Sequence, residues 1–326
     1  MYDFPIDAVI TWVDGNDPSH KAKRRSYVSG AGEDKSEDIG GETRFASSGE
    51  IFCCVGSIFR YAPFVRKIFI VTDSQRPDLD GFISGNFPHA RTKVEIVDHK
   101  TIFRGYEEFL PTFNSLSIET MLYRIPDLSE HFVYSNDDMF ILSPIQPSDW
   151  FDGDRAICFG KRFSSSFARV LRKIKPKKDG HKPFGHKDAM LNAADILGSR
   201  WFWKMPHSPL PLKKSWYERF YSERPELIGQ NACFRFREPT QFNPQALFYI
   251  GAMAEGGCIA EPDKGKSLFI KSGKKGYMEK KLAEAEKGNY IYGCINAMDK
   301  ASDSEREMFM QWFQKRLGLK FMPVNM

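Results

Sequence analysis

Hydrophobic and polar positions along the first half of the chain fall into blocks whose period changes. Ile6 to Val13 is a β-branched run (IDAVITWV) that stops at Asp14-Gly15-Asn16-Asp17-Pro18, which predicts a buried strand ending in a turn. The polar, Gly-, Lys- and Glu-rich stretch from Ser19 to Ser48 predicts a mobile loop. From Glu50 to Tyr61 the apolar residues Ile51, Val55, Ile58 and Phe59 recur at helical spacing. Lys67 to Asp73 (KIFIVTD) and Lys93 to Asp98 (KVEIVD) predict two more strands. Ser115 to Ile125 predicts a helix, and His131 to Phe140 (HFVYSNDDMF) a strand that ends in acids.

Strand and helix alternating at this pitch predict an α/β fold, a mostly parallel sheet flanked by helices, with its core strands in about 1–160. A basic segment at about 161–187 reads as an insertion, and a more helical C-terminal part follows at about 188–326. In that part Ser302 and Glu305 have capping-box spacing ahead of Met308, Phe309, Trp312, Phe313 and Leu317. The stripe reads first as core packing. With Arg306, Lys315, Arg316 and Lys320 around it, a membrane-surface face is the second reading.

Composition narrows the class. The 326 residues are 41% hydrophobic and 14% aromatic, with Phe alone occurring 28 times, so a sizeable core can form. No apolar run approaches the roughly 18 residues that span a bilayer. The start, MYDFPIDAVI, has no basic region ahead of an apolar stretch, so no secretory signal is expected. The six cysteines, at 53, 54, 158, 233, 258 and 294, form no CxxC pair and read as small buried hydrophobes in a reducing cytoplasm. The net charge of +5 is mild, and the basic surplus is local. Lys161–Lys187 and Lys264–Lys281 carry it, and they suit an anionic acceptor or an anionic membrane surface as well as a plain solvated loop. Neither stretch is accompanied by a nucleic-acid-binding signature, so nucleic acid is not an expected partner.

Three predicted strands end in acid: Asp14 after the first, Asp73 after KIFIVT, and Asp137-Asp138 after FVYSN. A single acid at a strand end is usually a turn former, the reading we give Asp73. Two adjacent acids beyond a buried strand suit a divalent metal or a phosphate-bearing ligand.

The segments IDAVITWVDGNDP, YAPFVRKIFIVTDSQRP and LPTFNSLSIETMLYRIPDLSEHFVYSNDDMF resemble the first two blocks of the Stealth family. That group holds bacterial capsular polysaccharide phosphotransferases and the lysosomal-enzyme N-acetylglucosamine-1-phosphotransferase. NAADILGSRWFWKMPHSPLPLKKS with FRFREPTQF resembles the third block, and GCINAMDKASDSEREMFMQWF the fourth. The resemblance implies one catalytic domain over 1–326, with a core similar to nucleotide-sugar transferases. It implies transfer of a hexose 1-phosphate from a nucleotide sugar to an acceptor hydroxyl, with release of a nucleoside monophosphate, in capsule or exopolysaccharide synthesis. The partners would be a nucleotide-sugar donor and an oligo- or polysaccharide acceptor, in the cytoplasm, with peripheral association at the inner membrane face as a further option.

By the same resemblance the catalytic groups are Asp7, Asp137, His207 and Arg237. Arginine has the planar fork that suits phosphate oxygens, and histidine can take a proton near neutrality. Asp137 and Asp138 are the candidates to hold a divalent metal, magnesium or manganese. Asn114, Ser115, Glu119 and Arg124 are expected to line the donor pocket, with Ser115 and Glu119 on one helical face. Asp14, Asn136, Arg235 and Asn296 complete the expected substrate contacts. The chain departs from many relatives at Ala297, where an acid is usual, at Phe52, where arginine is frequent, and at Tyr123, where histidine is common. Two other readings stay open: an ordinary glycosyltransferase releasing a nucleoside diphosphate, and a non-catalytic binder of anionic polymer.

Overall fold

The structure is a computed structural model that describes residues 4–28, 45, 47–174, 184–262, 266–272 and 276–323. Its centre is a five-stranded sheet in the order β3-β2-β1-β4-β9. The strands are β1 (Ile6–Thr11), β2 (Val65–Thr72), β3 (Lys93–Asp98), β4 (His131–Asn136) and β9 (Leu210–Lys213). The first four run parallel, and β9 closes the edge antiparallel to β4. β1 is apolar almost throughout because both faces of a parallel sheet are covered. The predicted α/β class and mostly parallel sheet are therefore what the chain forms, although the sheet's last strand comes from beyond residue 160.

β2 and β3 lie to one side of β1 and β4 to the other, so the strand order reverses between β1 and β4. A crevice opens at such a reversal, beyond the carboxyl ends of the two strands. Thr11 stands opposite Asn136 at that end, and Asp7 opposite Phe132 toward the other.

The helix Glu50–Tyr61 begins and ends where its periodicity predicts, and nearly all of it is buried. Full burial of a Phe side chain such as Phe52 contributes about 1.5–3 kcal/mol. The predicted strand His131–Phe140 is instead two strands, β4 and β5 (Met139–Ile141), broken by a turn at Asp137-Asp138. β7 (Arg155–Ser164), with β6 (Phe151–Asp152), β8 (Trp201–Lys204) and β10 (Cys258–Pro262), forms a second sheet. A third sheet joins β5 to β12 (Tyr292–Asn296) and β11 (Ser267–Lys271).

The pairing of β5 with β12 matters for the site. Gly293 lies under the Phe140 ring, and a Cβ there would come within 2.3 Å of a ring carbon. That close approach brings the next residues of β12 beside Asp138.

Two loop expectations are corrected. Residues 19–28 of the predicted loop belong to a helix, Pro18–Val28, whereas 29–44 lie outside the described residues. The supposed insertion at 161–187 is the end of β7, the helix Ser165–Ile174 and the start of the helix His186–Ile196, with 175–183 outside the described residues. The segment 264–281 contains β11 and the start of the helix Tyr277–Lys287, with 264–265 and 273–275 outside the described residues. The Ser302–Glu305 capping box is present, and Phe309, Phe313 and Leu317 of the helix Asp303–Leu317 are buried. Five of the cysteines are buried, Cys233 is half-buried, and all six are free. No described helix is long and apolar enough to cross a membrane.

Candidate active site

The acidic end of the crevice is built by the turn after β4. Asp138 accepts from the Cys294 thiol at 3.5 Å, and its backbone carbonyl accepts from the Ile295 amide at 2.9 Å. Asn296 also hydrogen-bonds its carboxylate, yet the other carboxylate oxygen, Oδ1, is buried with no protein partner. Burial pushes the Asp138 pKa up to about 6. Burial, then Asp138 and then Glu50 push Asp137 well above the ordinary carboxylate range. Glu50, at the start of its helix, is raised as well, chiefly by burial and further by Asp138 and Asp299.

The basic end is built by a loop clamped onto the helix Ser115–Met121. Asn114 caps that helix and donates to the carbonyls of Phe234 and Phe236 and to Gln241 Oε1, at 3.3, 3.0 and 2.8 Å. Ser117, Asn231 and Gln241 extend the network, all fully buried: Gln241 Nε2 donates to the Asn231 carbonyl at 2.7 Å. Asn231 Nδ2 donates to Thr120 Oγ1 at 2.7 Å. A satisfied buried polar network of this kind fixes one loop conformation. The loop so fixed carries Arg237, whose Nη2 donates to Ser115 Oγ at 2.8 Å.

Between the two ends runs a line of polar groups. Tyr134 meets Thr11 Oγ1 at 3.1 Å, Asn136 Oδ1 at 2.7 Å and Glu119 Oε1 at 3.1 Å. Glu119 also hydrogen-bonds Gln245 and Ser115. Burial raises its pKa to about 6, against the pull of Arg237. Burial lowers the Arg237 pKa, with Glu119 and Tyr134 opposing.

His186 feels the positive charge of Arg237, and its ring stacks on His207 with centroids 5.9 Å apart. His207 in turn tilts against Phe269 at 5.1 Å. Both residues are exposed to solvent, with protein close around their rings. The crowding lowers both pKa values, His207 with help from Lys204, so both rings are neutral at pH 7.

The expected residues divide on position. Asn136, Glu119, Ser115 and Arg237 are joined through Tyr134 in one hydrogen-bonded line, Asp137 and Asp138 follow Asn136 in the turn with Asn296 on Asp138, and His207 stacks on His186, which neighbours Arg237. Asp14 sits at the carboxyl end of β1, its carboxylate accepting from the Asn16 amide at 2.9 Å, with its backbone held by Gln75. Arg235 turns away, over the Tyr27 ring at 5.0 Å, and donates to the Leu110 carbonyl.

With Arg235, three more of the expected residues are held elsewhere. Asp7 lies toward the amino end of β1, about 16 Å along the strands from Asp137 at 3.3 Å per residue. Its buried carboxylate accepts from Arg66 Nε and Nη2 at 3.0 and 2.7 Å, from the Lys67 amide at 3.2 Å and from the Ser129 amide at 2.7 Å. That is a structural ion pair, not a cleft group. Arg124 is spent on the carbonyls of Ile102 and Arg104, at 2.8 and 2.6 Å, and stacks over Tyr106. Asn114 is a cap and clamp rather than a pocket-lining residue. Conversely, His186, Tyr134, Gln245 and Glu50 join the site without having been singled out as site residues. Of these only Glu50 carried a signal, as the acid that opens a predicted helix.

A mostly parallel α/β sheet with paired acids just beyond β4, where the strand order reverses, and a half-buried arginine linked to them through Glu119, Tyr134 and Asn136, defines an α/β protein with a cluster of charged groups at the strand ends. Residues 4–32 match Stealth protein CR1, conserved region 1, and residues 44–159 match Stealth protein CR2, conserved region 2. A capsular polysaccharide phosphotransferase of Haemophilus influenzae is 32% identical over 97% of this chain and 84% of its own length. The chain belongs to the Stealth family. An exopolysaccharide phosphotransferase of Streptomyces coelicolor is 34% identical over 78% of this chain, but the match spans only 41% of that longer protein. Among solved structures, a WbbM bifunctional glycosyltransferase has a TM-score of 0.48 at 10% identity, over 96% of this chain and 50% of that one. At that score the likeness carries no functional inference.

Proposed function

We propose that the protein transfers a sugar 1-phosphate from a nucleotide sugar to a hydroxyl of an oligo- or polysaccharide acceptor, releasing a nucleoside monophosphate. The observation that carries this reading is the hydrogen-bonded line Arg237–Ser115–Glu119–Tyr134–Asn136, which runs from the arginine to the residue that precedes the Asp137-Asp138 turn. It is supported by the phosphotransferase names of relatives that match most of this chain.

The chemistry follows from charge. The acceptor oxygen attacks the phosphorus that bears the donor sugar. A P–O bond to that phosphorus forms, the P–O bond to the nucleoside phosphate breaks, and the nucleoside monophosphate leaves with the electron pair. His207, neutral at pH 7, accepts the hydroxyl proton at a ring nitrogen. Arg237, braced by Ser115 and by the charge of Glu119, offers its fork to the diphosphate oxygens. Such a step depends on alignment more than on covalent help, and the buried clamp around Asn231 and Gln241 supplies the alignment.

Asp137 and Asp138 fit a divalent cation. No group of three or more His, Cys, Asp or Glu ligands is assembled among the described residues. Magnesium or manganese, however, commonly binds one or two carboxylates and takes its remaining ligands from water and substrate phosphates. The buried, unpartnered Asp138 Oδ1 and the mutual repulsion of Asp137, Asp138 and Glu50 suit a cation there. When bound, it would neutralise diphosphate charge.

The enzyme would work in the cytoplasm, peripheral to the inner face of the membrane. Donor and acceptor identity are tested by a panel of nucleotide sugars, with and without acceptor oligosaccharide, in chelator and after adding back magnesium or manganese. Acceptor-dependent release of nucleoside monophosphate is expected. Release of nucleoside diphosphate, or no turnover of any donor, would overturn the proposal.

A further inference from the structure

The helix Ser165–Ile174 presents its charged side to the protein and its apolar side to water. At 100° per residue, Phe167, Val170 and Leu171 share an arc of about 100°, and Arg169 and Arg172 lie on the other side. Those two arginines tie the helix to the neighbouring helix His186–Ile196. Arg169 pairs with Asp195, and Arg172 lies 3.5 Å from Asp188 and donates to Asn192 at 3.3 Å. Ala168 packs inward, 7% exposed. The apolar arc is left uncovered, with Phe167 66%, Val170 57% and Leu171 38% exposed.

A surface helix of a water-soluble protein does the reverse. Clustered exposure of this kind marks a surface that meets another apolar phase. Phe163, at the end of β7 that feeds the helix, and Ile196, at the end of the neighbouring helix, are exposed as well. Beside them Arg162 lies over the Trp201 ring at 4.6 Å, a cationic and aromatic pair suited to a lipid headgroup layer.

We infer that this helix is an interfacial anchor that seats the enzyme on an anionic phospholipid surface. Charge selects the occupant. Apart from the inward Arg169 and Arg172, residues 161–174 hold Lys161, Arg162 and Lys173 as basic groups and no acid. Two copies of the chain docked through this face would bring like charge against like charge, whereas an anionic bilayer complements it. A short amphipathic helix with apolar side chains outward and basic residues alongside has the make-up of an in-plane membrane segment.

Its location gives the anchor a purpose. The neighbouring helix begins at His186, which stacks on His207, so the anchored face adjoins the histidine end of the crevice. An acceptor held at the membrane would enter there. The inference deepens the membrane association proposed above, and its test does not depend on turnover.

The test is sedimentation of the full chain with vesicles of phosphatidylcholine alone and of phosphatidylcholine mixed with phosphatidylglycerol. Wild type is expected to bind the anionic vesicles and to be released by salt. The combined change Phe167→Ser, Val170→Ser and Leu171→Ser is expected to weaken that binding about tenfold or more, with turnover of a soluble acceptor unchanged. Absence of wild-type binding to anionic vesicles, or equal binding by the triple variant, would overturn the inference. So would a wild-type dimer in solution that the triple variant dissociates, because the occupant would then be a second copy. Loss of vesicle binding with full turnover separates failure of the anchor from failure of the reaction assignment.

Discussion

Replacing Asp7 by Asn distinguishes a catalytic carboxylate from a structural one. The change keeps the shape of the side chain but removes the charge that Arg66 pairs with, and it turns an amide NH2 toward donors. Hydrogen bonds to charged groups contribute about 1.5–3 kcal/mol each, and breaking a buried pair from one side costs about 3–5 kcal/mol in all. The Arg66 side chain is 34% exposed, so its guanidinium regains water once the partner is gone. The expected loss is therefore at the low end, about 3 kcal/mol. Urea unfolding would read it as a fall in midpoint with an unchanged slope. Because Asp7 is far from Asp137 along the strands, turnover per folded molecule should stay within about twofold of wild type. Adding Arg66→Met to Asp7→Asn should recover part of the lost stability, since the guanidinium no longer faces an uncharged amide whose Oδ1 can still accept from the Lys67 or Ser129 amide. An Asp7→Asn protein with wild-type unfolding and turnover reduced by orders of magnitude would refute the structural assignment and return Asp7 to the chemistry.

Two further outcomes are expected. Arg237→Lys keeps a cation but loses the fork that bridges Ser115 and the phosphate oxygens, so kcat for nucleoside monophosphate release should fall about a hundredfold or more; near-normal kcat in a folded variant would remove Arg237 from the site. His99 is buried, and burial depresses its pKa to about 4 against the pull of Asp73 and Asp98. The unfolded chain then binds a proton that the folded chain refuses, from pH 6.5 down to about 4, so stability falls as pH falls through that window. The loss reaches about 3 kcal/mol and is flat below it. His99→Leu should flatten this acid slope in urea unfolding measured across that range, and an identical slope would show that other groups cause it.

What the sequence made legible follows from how local each signal is. The helix Glu50–Tyr61 and β3 begin and end where periodicity puts them, because apolar spacing alone decides them. The helix Pro18–Val28 went unread although Asp17-Pro18 is a strong start signal, with Asp17 Oδ1 accepting from the Ser19 amide at 2.8 Å. Its buried side chains are His20 and Arg24, so no apolar stripe marks it. Long-range polar contacts hold it instead: Lys23 to Asp73 at 2.7 Å, and Arg24 over the Phe45 ring at 4.2 Å. The break between β4 and β5 was likewise hidden, since the residues on both sides have strand character and only the turn at Asp137-Asp138 separates them.

The candidate site shows the same division more sharply. The resemblance to the family marked Asp7, Asp137, His207 and Arg237 together, and residue type agreed with it, but neither speaks to depth along a strand. Asp7 and Thr11 are four residues apart on β1, yet one faces an ion pair at the amino end and the other hydrogen-bonds Tyr134 at the crevice. Register against β4 decides between them, and register is a property of the folded sheet. Nor does the sequence reveal that Asn114, Ser117, Asn231 and Gln241, over a hundred positions apart at the extremes, form one clamp. The clamp bears on the reaction through electrostatics. It holds Arg237 where burial disfavours its charge, while the turn after β4 holds two carboxylates where burial disfavours theirs. Opposite charges kept apart and poorly hydrated in one crevice are costly in the free protein. On the proposed reaction, a ligand that brings anionic phosphates to the arginine and a cation to the acids would relieve both costs together, so this burial would favour a diphosphate.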